Sequence, residues 1–421
     1  MNKYYVPFTK EMKAQGYTIL CPNMLPMHFK LFRAIFRTYG WNVEVLENDG
    51  PEVAETGLKY VHNDTCYPAI LVIGQLIQAL QSGKYDLNRV ALLQAQTGGG
   101  CRASNYISLL RKALEKAGYG HIPVIAFGIA GLEKHPGFSP SLHCWGAIVH
   151  AALFGDLLMS LVNQCRTYEV EAGSAQALAD RWVEKLAKKM GKGGRITGKQ
   201  VRQDYRAILE EFAAIELQRH DAVKVGIVGE IFVKYSPLGN NRLEEFLVGE
   251  GAEVVVPGLV DFGLYCVYNN VLDHELLGRG RKLTYWIYRL VYGWICGMKN
   301  DLIAAIQEHG VFDAPSPFEQ TVELGRDYIH PGVKMGEGWL LTSEMLELSE
   351  SGVKNIVCTQ PFGCLPNHIC GKGMMKPIKE RNPGVNIVAI DYDAGATKVN
   401  QENRLKLMLA NARENQKVEC R

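Results

Sequence analysis

The chain has 421 residues, enough for two domains, because a single hydrophobic core rarely extends beyond about 250–300 residues. Hydrophobic residues make up 47% and charged residues 21% of the chain, as is ordinary for a globular protein. A formal net charge of +2 without long basic runs gives no footprint for nucleic acid or for a membrane surface.

The cellular compartment affects which roles the cysteines can have. The opening sequence MNKYYVPFTKEMKAQ lacks the apolar core of a secretory signal, and no apolar run approaches a membrane span. We therefore expect a soluble, cytoplasmic protein. Structural disulfides are rare in that compartment, so the 11 cysteines are left with metal binding, catalysis or inert burial. None of them forms a CxxC pair, which weakens the zinc-ribbon and thioredoxin interpretations.

The first predicted unit, residues 1–138, alternates short apolar runs with amphipathic helices. Strands are predicted at residues 17–20, 41–47, 90–96 and 123–129. Helices are predicted up to Tyr39 and over residues 68–82 and 104–117. This alternation is typical of a parallel, doubly wound sheet.

Residues 139–220 change character, and residues 221–421 resume the first pattern. Helices are predicted over 177–190 and 198–218, as a helical connection between domains. The later strands are predicted at 222–233 (with the following loop), 252–258, 354–360 and 385–393. Helices are expected after Asn241, over 283–309 and after Asn400. The predicted fold class is α/β, with two doubly wound, Rossmann-like parallel-sheet domains joined by a helical segment.

Three cysteines of the first unit stand where a strand ends or a helix begins. Cys21 follows a strand, Cys66 precedes a helix with Pro68 in its first turn, and Cys101 ends the turn TGGGC. Open α/β sheets place ligands at that edge, where helix dipoles and free N–H groups stabilise thiolates. Three such cysteines can bind three irons of a cubane.

The second unit repeats this arrangement. Cys266 lies in the segment after a strand, Cys358 lies near the end of a strand, and Cys364 follows in PFGCLPNHICGKG. The proline and glycine content of that last segment predicts a tight loop. Two sets of three cysteines suggest two cubanes or one composite cluster between the domains.

The remaining cysteines are sorted by their segments. Cys370 is a competing ligand because it belongs to the same loop as Cys364. Packing explains the three that lie in helix-like segments, Cys144, Cys165 and Cys296. We assign no function to Cys420, which is next to the chain end.

One sequence nearly matches a phosphate-binding loop. In GGRITGKQ (193–200), Gln200 replaces the Ser or Thr that would bind magnesium, and the sequence follows a helix instead of a strand. We reject this loop, so any ATP-driven step is expected on another protein.

Six separated motifs carry a family resemblance over most of the chain. They are CPNMLPMHFKL, NDTCYPAILVIGQ, TGGGCRASNYI, VVVPGLVDFGLYC, KMGEGWLLTSEM and NIVCTQPFGCLPNHICGKG. Together they resemble the 2-hydroxyacyl-CoA dehydratase superfamily, and more narrowly its double-cubane cluster proteins and the matching region of activase-related proteins.

The resemblance implies a homodimer of α/β subunits, each with two 4Fe–4S cubanes bridged by a sulfide in an 8Fe–9S centre. It implies Cys21, Cys66 and Cys101 as the ligands of one cubane. The ligands of the other would be Cys266, Cys358 and Cys364. Cys370 departs from the family pattern, which leaves open whether it replaces Cys266 or Cys358. A separate ATP-hydrolysing iron–sulfur reductase would deliver low-potential electrons for the reduction of small unsaturated molecules.

Two other functions remain open at this stage. One is a 2-hydroxyacyl-CoA dehydratase component with a single 4Fe–4S cluster, and the other is an electron carrier or cluster-storage protein. Protons for a reduction would come from neighbouring groups such as His62, Glu230 or His368. The six cysteines in one chain favour the double cluster.

Overall fold

The computed structural model describes residues 5–96, 100–128, 133–193 and 196–419. Within these residues the strands form two separate four-stranded sheets, both entirely parallel and both flanked by helices. The predicted fold class is therefore confirmed. Almost every strand residue is at least partly buried, as expected for parallel strands covered on both faces.

The N-terminal sheet consists of β1 (Thr18–Cys21), β2 (Asn42–Val45), β3 (Val90–Ala95) and β4 (Val124–Phe127). Its strand order is β2–β1–β3–β4. The helices of this domain are α1 (Lys10–Ala14), α2 (Pro26–Thr38), α3 (Glu52–Tyr60), α4 (Tyr67–Gln81) and α5 (Tyr106–Lys116). Because β1 and β3 are adjacent and central, the loops that follow them meet at the ligand-binding edge of the sheet.

Three helices lie between the two sheets in the sequence: α6 (Leu142–Cys165), α7 (Ser174–Met190) and α8 (Gly198–Ala213). Thr197 and Gln200 form a reciprocal capping box at the start of α8. This capping role accounts for Gln200, the residue that departs from the phosphate-loop pattern in 193–200. Gly194 and Arg195 of that sequence lie outside the described residues.

Among the described residues, one helix, α6, is long and apolar enough to cross a membrane. More than half of its most apolar window, 56%, is buried inside the protein. It packs against α2 and α7, and its Asp156 carboxylate accepts hydrogen bonds from the backbone N–H groups of Leu259 and Val260 in the second domain. These contacts are those of a core helix, consistent with a soluble protein.

The C-terminal sheet consists of β5 (Lys224–Gly229), β6 (Glu253–Val255), β7 (Asn355–Pro361) and β8 (Asn386–Tyr392). Its order, β6–β5–β7–β8, repeats that of the first sheet. The helices are α9 (Ile231–Tyr235), α10 (Leu243–Gly249), α11 (Leu259–Leu277), α12 (Lys282–His309), α13 (Phe318–Gly325), α14 (Gly338–Glu350), α15 (Met375–Arg381) and α16 (Lys398–Glu419). The two domains are thus similar units.

Three differences from the sequence prediction bear on the site. Residues 222–233 were predicted as a strand with its following loop, and the end of this region begins α9 instead, because the Glu230 side chain caps its first turn. Cys266 was placed in the segment after a strand, and that segment is helix α11. The loop predicted after Cys364 contains a π-helical turn at Asn367–Gly371.

Candidate metal centre

Two of the three predicted N-terminal ligands lie at helix starts. Cys66 is the N-cap residue of α4, and Pro68 lies in the first turn of that helix. Cys101 is the N-cap residue of a 3-10 turn, and its Sγ accepts a hydrogen bond from the Ala103 N–H at 3.4 Å. The Tyr106 hydroxyl donates to the Cys66 Sγ at 3.3 Å. Both sulfurs therefore already have donors that would stabilise thiolates.

The third predicted N-terminal ligand, Cys21, is the last residue of β1. Its thiol is 3.5 Å from the carbonyl oxygen of Pro22, and burial raises its pKa to about 12. It lies at the predicted edge of the sheet, but the described residues give it no electrostatic link to another cysteine.

In the C-terminal domain, Cys364 lies in the turn directly after β7. Its Sγ accepts a hydrogen bond from the Asn367 side-chain amide at 3.4 Å. Its carbonyl oxygen accepts one from the His368 Nδ1 at 2.8 Å. The turn therefore fixes both the sulfur and the backbone of Cys364.

The other C-terminal candidates are more deeply placed. Cys358 is fully buried in β7, and a Cβ on Gly371 would come within 2.8 Å of its Sγ, so the glycine allows this close packing. Cys266 is partly buried in α11, and Cys370 is buried in the π-helical turn. The thiols of Cys266 and Cys370 both act electrostatically on Tyr265. Cys370 therefore stays a competing ligand.

The structure joins cysteines across the domain interface. The Cys66 thiol lies within electrostatic range of Cys101 in its own domain and of Cys364 in the second domain. In the same region, the Gly100 N–H donates to the Met335 Sδ at 3.1 Å. The sequence grouped the candidate ligands by domain, whereas Cys66 and Cys364 act on each other across the interface.

A pair of carboxyl groups lies at the same place. The Glu230 carboxylate accepts a hydrogen bond from the Val233 N–H at 2.9 Å. The Glu337 carboxylate accepts one from the Ile231 N–H at 3.0 Å and one from the Asn367 side chain at 3.1 Å. Glu337 is thereby hydrogen-bonded to the same amide that donates to Cys364.

Glu337 is the residue that the sequence analysis missed. It is buried, and it stands between Gly336 and Gly338, whose φ angles of +59° and +47° favour glycine. A Cβ on Gly338 would come 2.6 Å from the Tyr265 hydroxyl. The available signal was an acid between two glycines in the motif KMGEGW.

Both carboxyl groups are harder to ionise than an ordinary glutamate. Burial and the neighbouring Glu337 charge raise the pKa of Glu230 to about 8, and burial raises the pKa of Glu337. Burial, followed by the Glu337 charge or other nearby acids, also raises the pKa of six thiols. These are the thiols of Cys66, Cys101, Cys266, Cys358, Cys364 and Cys370.

This donor set fits a cationic metal–sulfur cluster. The Lys234 ammonium acts on the two carboxyls, and bound iron would add positive charge at the buried thiols and displace their protons. Among the described residues, no three Cys, His, Asp or Glu side chains converge as ligands of one metal ion. In a cubane each thiolate binds a different iron, so the sulfurs need not converge on one point.

The remaining predicted residues lie elsewhere or play smaller parts. His62 is exposed and lies 3.3 Å from the exposed Asp64 carboxylate, so it is not a buried proton donor. His368 is partly buried and bound to the Cys364 carbonyl. The thiols in α6 and α12 are all buried, at Cys144, Cys165 and Cys296. Cys420 lies outside the described residues.

Comparison with known proteins adds no assignment at this point. No family model matches the chain, and no curated protein matches it. The function is therefore argued from the cysteine and carboxyl groups themselves.

Proposed function

We propose that this chain is the iron–sulfur component of a two-protein reductase. It binds a double-cubane 8Fe–9S cluster and reduces small unsaturated molecules with electrons received from a separate ATP-hydrolysing reductase. The observation that supports the proposal is that the Cys66 thiol lies within electrostatic range of Cys101 and Cys364, in the same region as the Glu230 and Glu337 carboxyls, where the Asn367 side chain donates to both Glu337 and the Cys364 Sγ. Sulfur ligands and proton-holding groups are the two things that such a reduction needs.

The residues that would hold the cluster follow the six motifs. One cubane takes Cys21, Cys66 and Cys101 as ligands. The other takes Cys266, Cys358 and Cys364, with Cys370 as the competing ligand. When bound, the cluster supplies electrons at low potential. The hydrogen bonds to the Cys66 and Cys364 sulfurs at 3.3 and 3.4 Å, and the burial of the site, would tune that potential.

The proton is assigned to Glu230. With a pKa near 8, its carboxyl is mostly protonated at neutral pH, so it can act as a general acid. Glu337 raises that pKa and is fixed by the Ile231 N–H and the Asn367 side chain. Among the three proton donors predicted from the sequence, Glu230 is the one supported by both burial and a charged neighbour.

The setting of the proposed activity is the cytoplasm, where a homodimer of this chain docks transiently with its reductase. ATP hydrolysis belongs to that partner. The isolated chain should neither bind ATP nor reduce acetylene with a weak reductant. Adding the reductase with ATP should switch reduction on, and a non-hydrolysable analogue should not. ATPase activity in the purified chain alone would contradict this division of labour.

The decisive test is the metal content of anaerobically purified protein. Two sets of three thiolates predict about eight irons per chain, with about nine sulfides when the bridge is present. Anomalous scattering at the iron edge from anaerobic crystals would show whether the two cubanes share a bridge. Stoichiometric zinc, or iron near zero after reconstitution, would overturn the proposal.

A second candidate is a 2-hydroxyacyl-CoA dehydratase component with one 4Fe–4S cluster. The specific observation in its favour is that Cys66 lies within electrostatic range of both Cys101 and Cys364, three thiols that could serve one cubane. It predicts about four irons per chain in fully loaded protein and dehydration of a 2-hydroxyacyl-CoA after one-electron activation. Reversible reduction without turnover of either substrate class would instead indicate an electron carrier.

A further inference from the structure

A cavity lies beside the edge strand of the C-terminal sheet. It has a volume of about 380 Å³, which is within the range of small-molecule sites. Helices α6, α12 and α14 and the edge strand β6 form most of its wall. Its described lining residues include no cysteine and neither Glu230 nor Glu337. The cavity is therefore separate from the groups that the proposed reduction uses.

The cavity is longer than it is wide. One face of α6 lines it from Leu153 to Gln164, which is about 16 Å of helix at about 1.5 Å per residue. A compact cavity of the same volume would be much shorter. The apolar part of the lining consists of six buried aliphatic side chains: Leu153, Leu157, Val254, Leu302, Ile306 and Leu348. This shape and lining fit an extended aliphatic chain.

The charged groups that line the cavity already have partners in the protein. They are five acids and two lysines: Asp156, Glu253, Asp261, Asp313, Glu347, Lys224 and Lys299. Each of the five carboxyls has a hydrogen-bond donor or an ammonium group beside it. Glu347 accepts from the Ser316 hydroxyl at 2.7 Å, and burial raises its pKa. An anionic ligand would meet a surplus of acids, and a cationic one would find these carboxyls already paired, so the ligand that fits is uncharged.

Two hydrogen-bond donors of α6 line the cavity without an acceptor. Asn163 is only 3% exposed, and its side-chain Nδ2 has no hydrogen-bond partner among the described residues. Three residues earlier, the Ser160 Oγ accepts from the Gln164 side chain at 3.0 Å and donates to no described group. Residues three apart lie on the same face of a helix. Two neighbouring donors suit one carbonyl oxygen, which has two lone pairs.

The unpaired amide of Asn163 is the feature that points to a ligand. Folding removes water from its Nδ2 and provides no acceptor in exchange, which lowers the stability of the folded chain. Native proteins pair most of their buried polar atoms. Among the described side-chain atoms that are buried without a partner, the Asn163 Nδ2 is the one that belongs to the lining of this cavity. An acceptor on a bound molecule would supply the missing hydrogen bond.

We propose that this cavity binds an uncharged, extended aliphatic molecule that carries a carbonyl group. The carbonyl oxygen accepts hydrogen bonds from the Asn163 side-chain amide and the Ser160 hydroxyl. The aliphatic chain lies along the two turns of α6 between Ser160 and Leu153, a length of about 10 Å. The site goes beyond the proposed reduction, because it takes its ligand without a metal and without the ATP-hydrolysing partner.

The test is a ligand-observed NMR titration of the anaerobically loaded chain with three probes of equal chain length: hexanamide, hexanoate and hexylamine. Hexanamide should bind saturably, and the anion and the cation should each bind at least about 10-fold more weakly. Asn163→Leu keeps the size of the side chain and removes the donor, so it should weaken hexanamide binding by about 10-fold. Asn88→Leu, at an exposed position outside the cavity, is the matched control and should leave binding unchanged.

Two further measurements keep the outcome interpretable. Ser160→Ala removes the second donor and should weaken hexanamide binding by about threefold to tenfold, which gives a second measurement if Asn163→Leu does not fold. The iron content and far-UV circular dichroism of each variant should equal those of the wild type, which separates loss of this site from failure of the metal centre. Three outcomes would overturn the inference: no saturable binding of hexanamide to the wild type, equally tight binding of hexanoate or hexylamine, or unchanged hexanamide binding in the folded variants.

Discussion

The carboxyl edges of the two sheets share a strand order and differ in chemistry. In the first domain the two central strands are followed by thiols, Cys21 at the end of β1 and Cys101 beyond β3. At the equivalent places in the second domain, Glu230 follows β5 and Cys364 follows β7. Topology therefore fixes where a functional residue can lie, and residue type decides what that place does.

The surroundings of the two edges extend this difference. Around Cys66 and Cys101 the first domain offers hydrogen-bond donors, from Tyr106 and the Ala103 N–H. The second domain adds the Glu230 and Glu337 carboxyls, which oppose ionisation of nearby thiols. The first edge is suited to holding sulfur ligands, and the second to holding both sulfur ligands and protons. Neither edge is a complete site without the other.

The largest expected effect is iron loss when one cysteine is removed from either edge. Cys101→Ala and Cys364→Ala should each lose about half of the iron or more, because each removes one of three ligands of a cubane. Iron and sulfide analysis after anaerobic reconstitution is the measurement. Cys144→Ala, at a buried thiol in α6, is the control and should retain full iron.

The double variant, Cys101→Ala with Cys364→Ala, tests how the ligands are divided. If each edge holds its own cubane, the double variant loses the iron of both. If Cys66, Cys101 and Cys364 serve one cubane, the double variant loses no more than either single variant. Equal iron loss in the Cys144→Ala control would show that the sorting of the cysteines is wrong.

The next effect concerns the carboxyl that only the second edge supplies. Glu230→Gln should lower turnover by about 100-fold or more, as expected when a general acid is removed, with iron content unchanged. Because the Glu230 pKa is about 8, wild-type activity should fall as the pH rises through 8 and the proton is lost. The variant should lack this limb of its pH profile.

Glu245→Gln is the matched control, since its carboxylate on α10 is exposed and pairs with the nearby Arg242. Turnover by Glu230→Gln within twofold of the wild type, with an unchanged pH profile, would remove Glu230 from the proton path. Glu337 would then be the next group to test.

The sequence predicted the fold well because buried parallel strands are short apolar runs between helices. In the second domain β5, β6 and β8 lie within the regions predicted for them, and β7 (Asn355–Pro361) extends one residue beyond its predicted region. Cys66 could be placed at a helix start because Pro68 signals a first turn. Helix α11 was not predicted because its own apolar residues are spread around the helix, so its sequence shows no helical periodicity.

The site was less predictable because no pattern in the neighbouring sequence signals that a polar residue will be buried. In the sequence Glu337 looks like an ordinary acidic residue. Only the fold brings its carboxylate to the Ile231 N–H and the Asn367 side chain, from which it accepts hydrogen bonds. The link between Cys66 and Cys364 depends on how two domains meet, which no local pattern contains. Helix α12 was predicted, but the exposure of its first half was not, since an apolar row on a helix predicts burial.

A smaller expected effect is the loss of unfolding free energy when an ion pair is broken, and each domain has one such pair to compare. In the second domain, the Lys234 Nζ lies 3.0 Å from the Glu344 carboxylate, and both side chains are only 4% exposed. In the first, Arg111 is buried but its partner Glu133 is 22% exposed. Glu344→Gln should cost about 3–5 kcal/mol of unfolding free energy, because it leaves an ammonium buried without a countercharge.

Glu133→Gln should cost less, about 1–3 kcal/mol, because Arg111 also donates to the Val124 carbonyl at 3.1 Å and water reaches its partner. Urea unfolding of both variants in the same buffer gives the comparison. Equal losses would mean that the depth of burial does not distinguish the two pairs.

The smallest effect lies in α6, which connects the two edges and belongs to neither sheet. Burial lowers the pKa of His150 to about 4, and its Nδ1 is buried without a hydrogen-bond partner among the described residues. In the unfolded chain this histidine has its ordinary pKa near 6.5. Between pH 6.5 and 4 the unfolded chain therefore binds a proton at this position and the folded chain does not. Stability should therefore fall as the pH falls through this window, by up to about 1.4 kcal/mol per pH unit. His150→Gln should flatten that slope in urea unfolding curves recorded from pH 7 to 5, whereas His121→Gln, at an exposed position, should not. An unchanged slope in His150→Gln would show that α6 lets water reach this histidine, and that the connection between the edges is looser than its packing indicates.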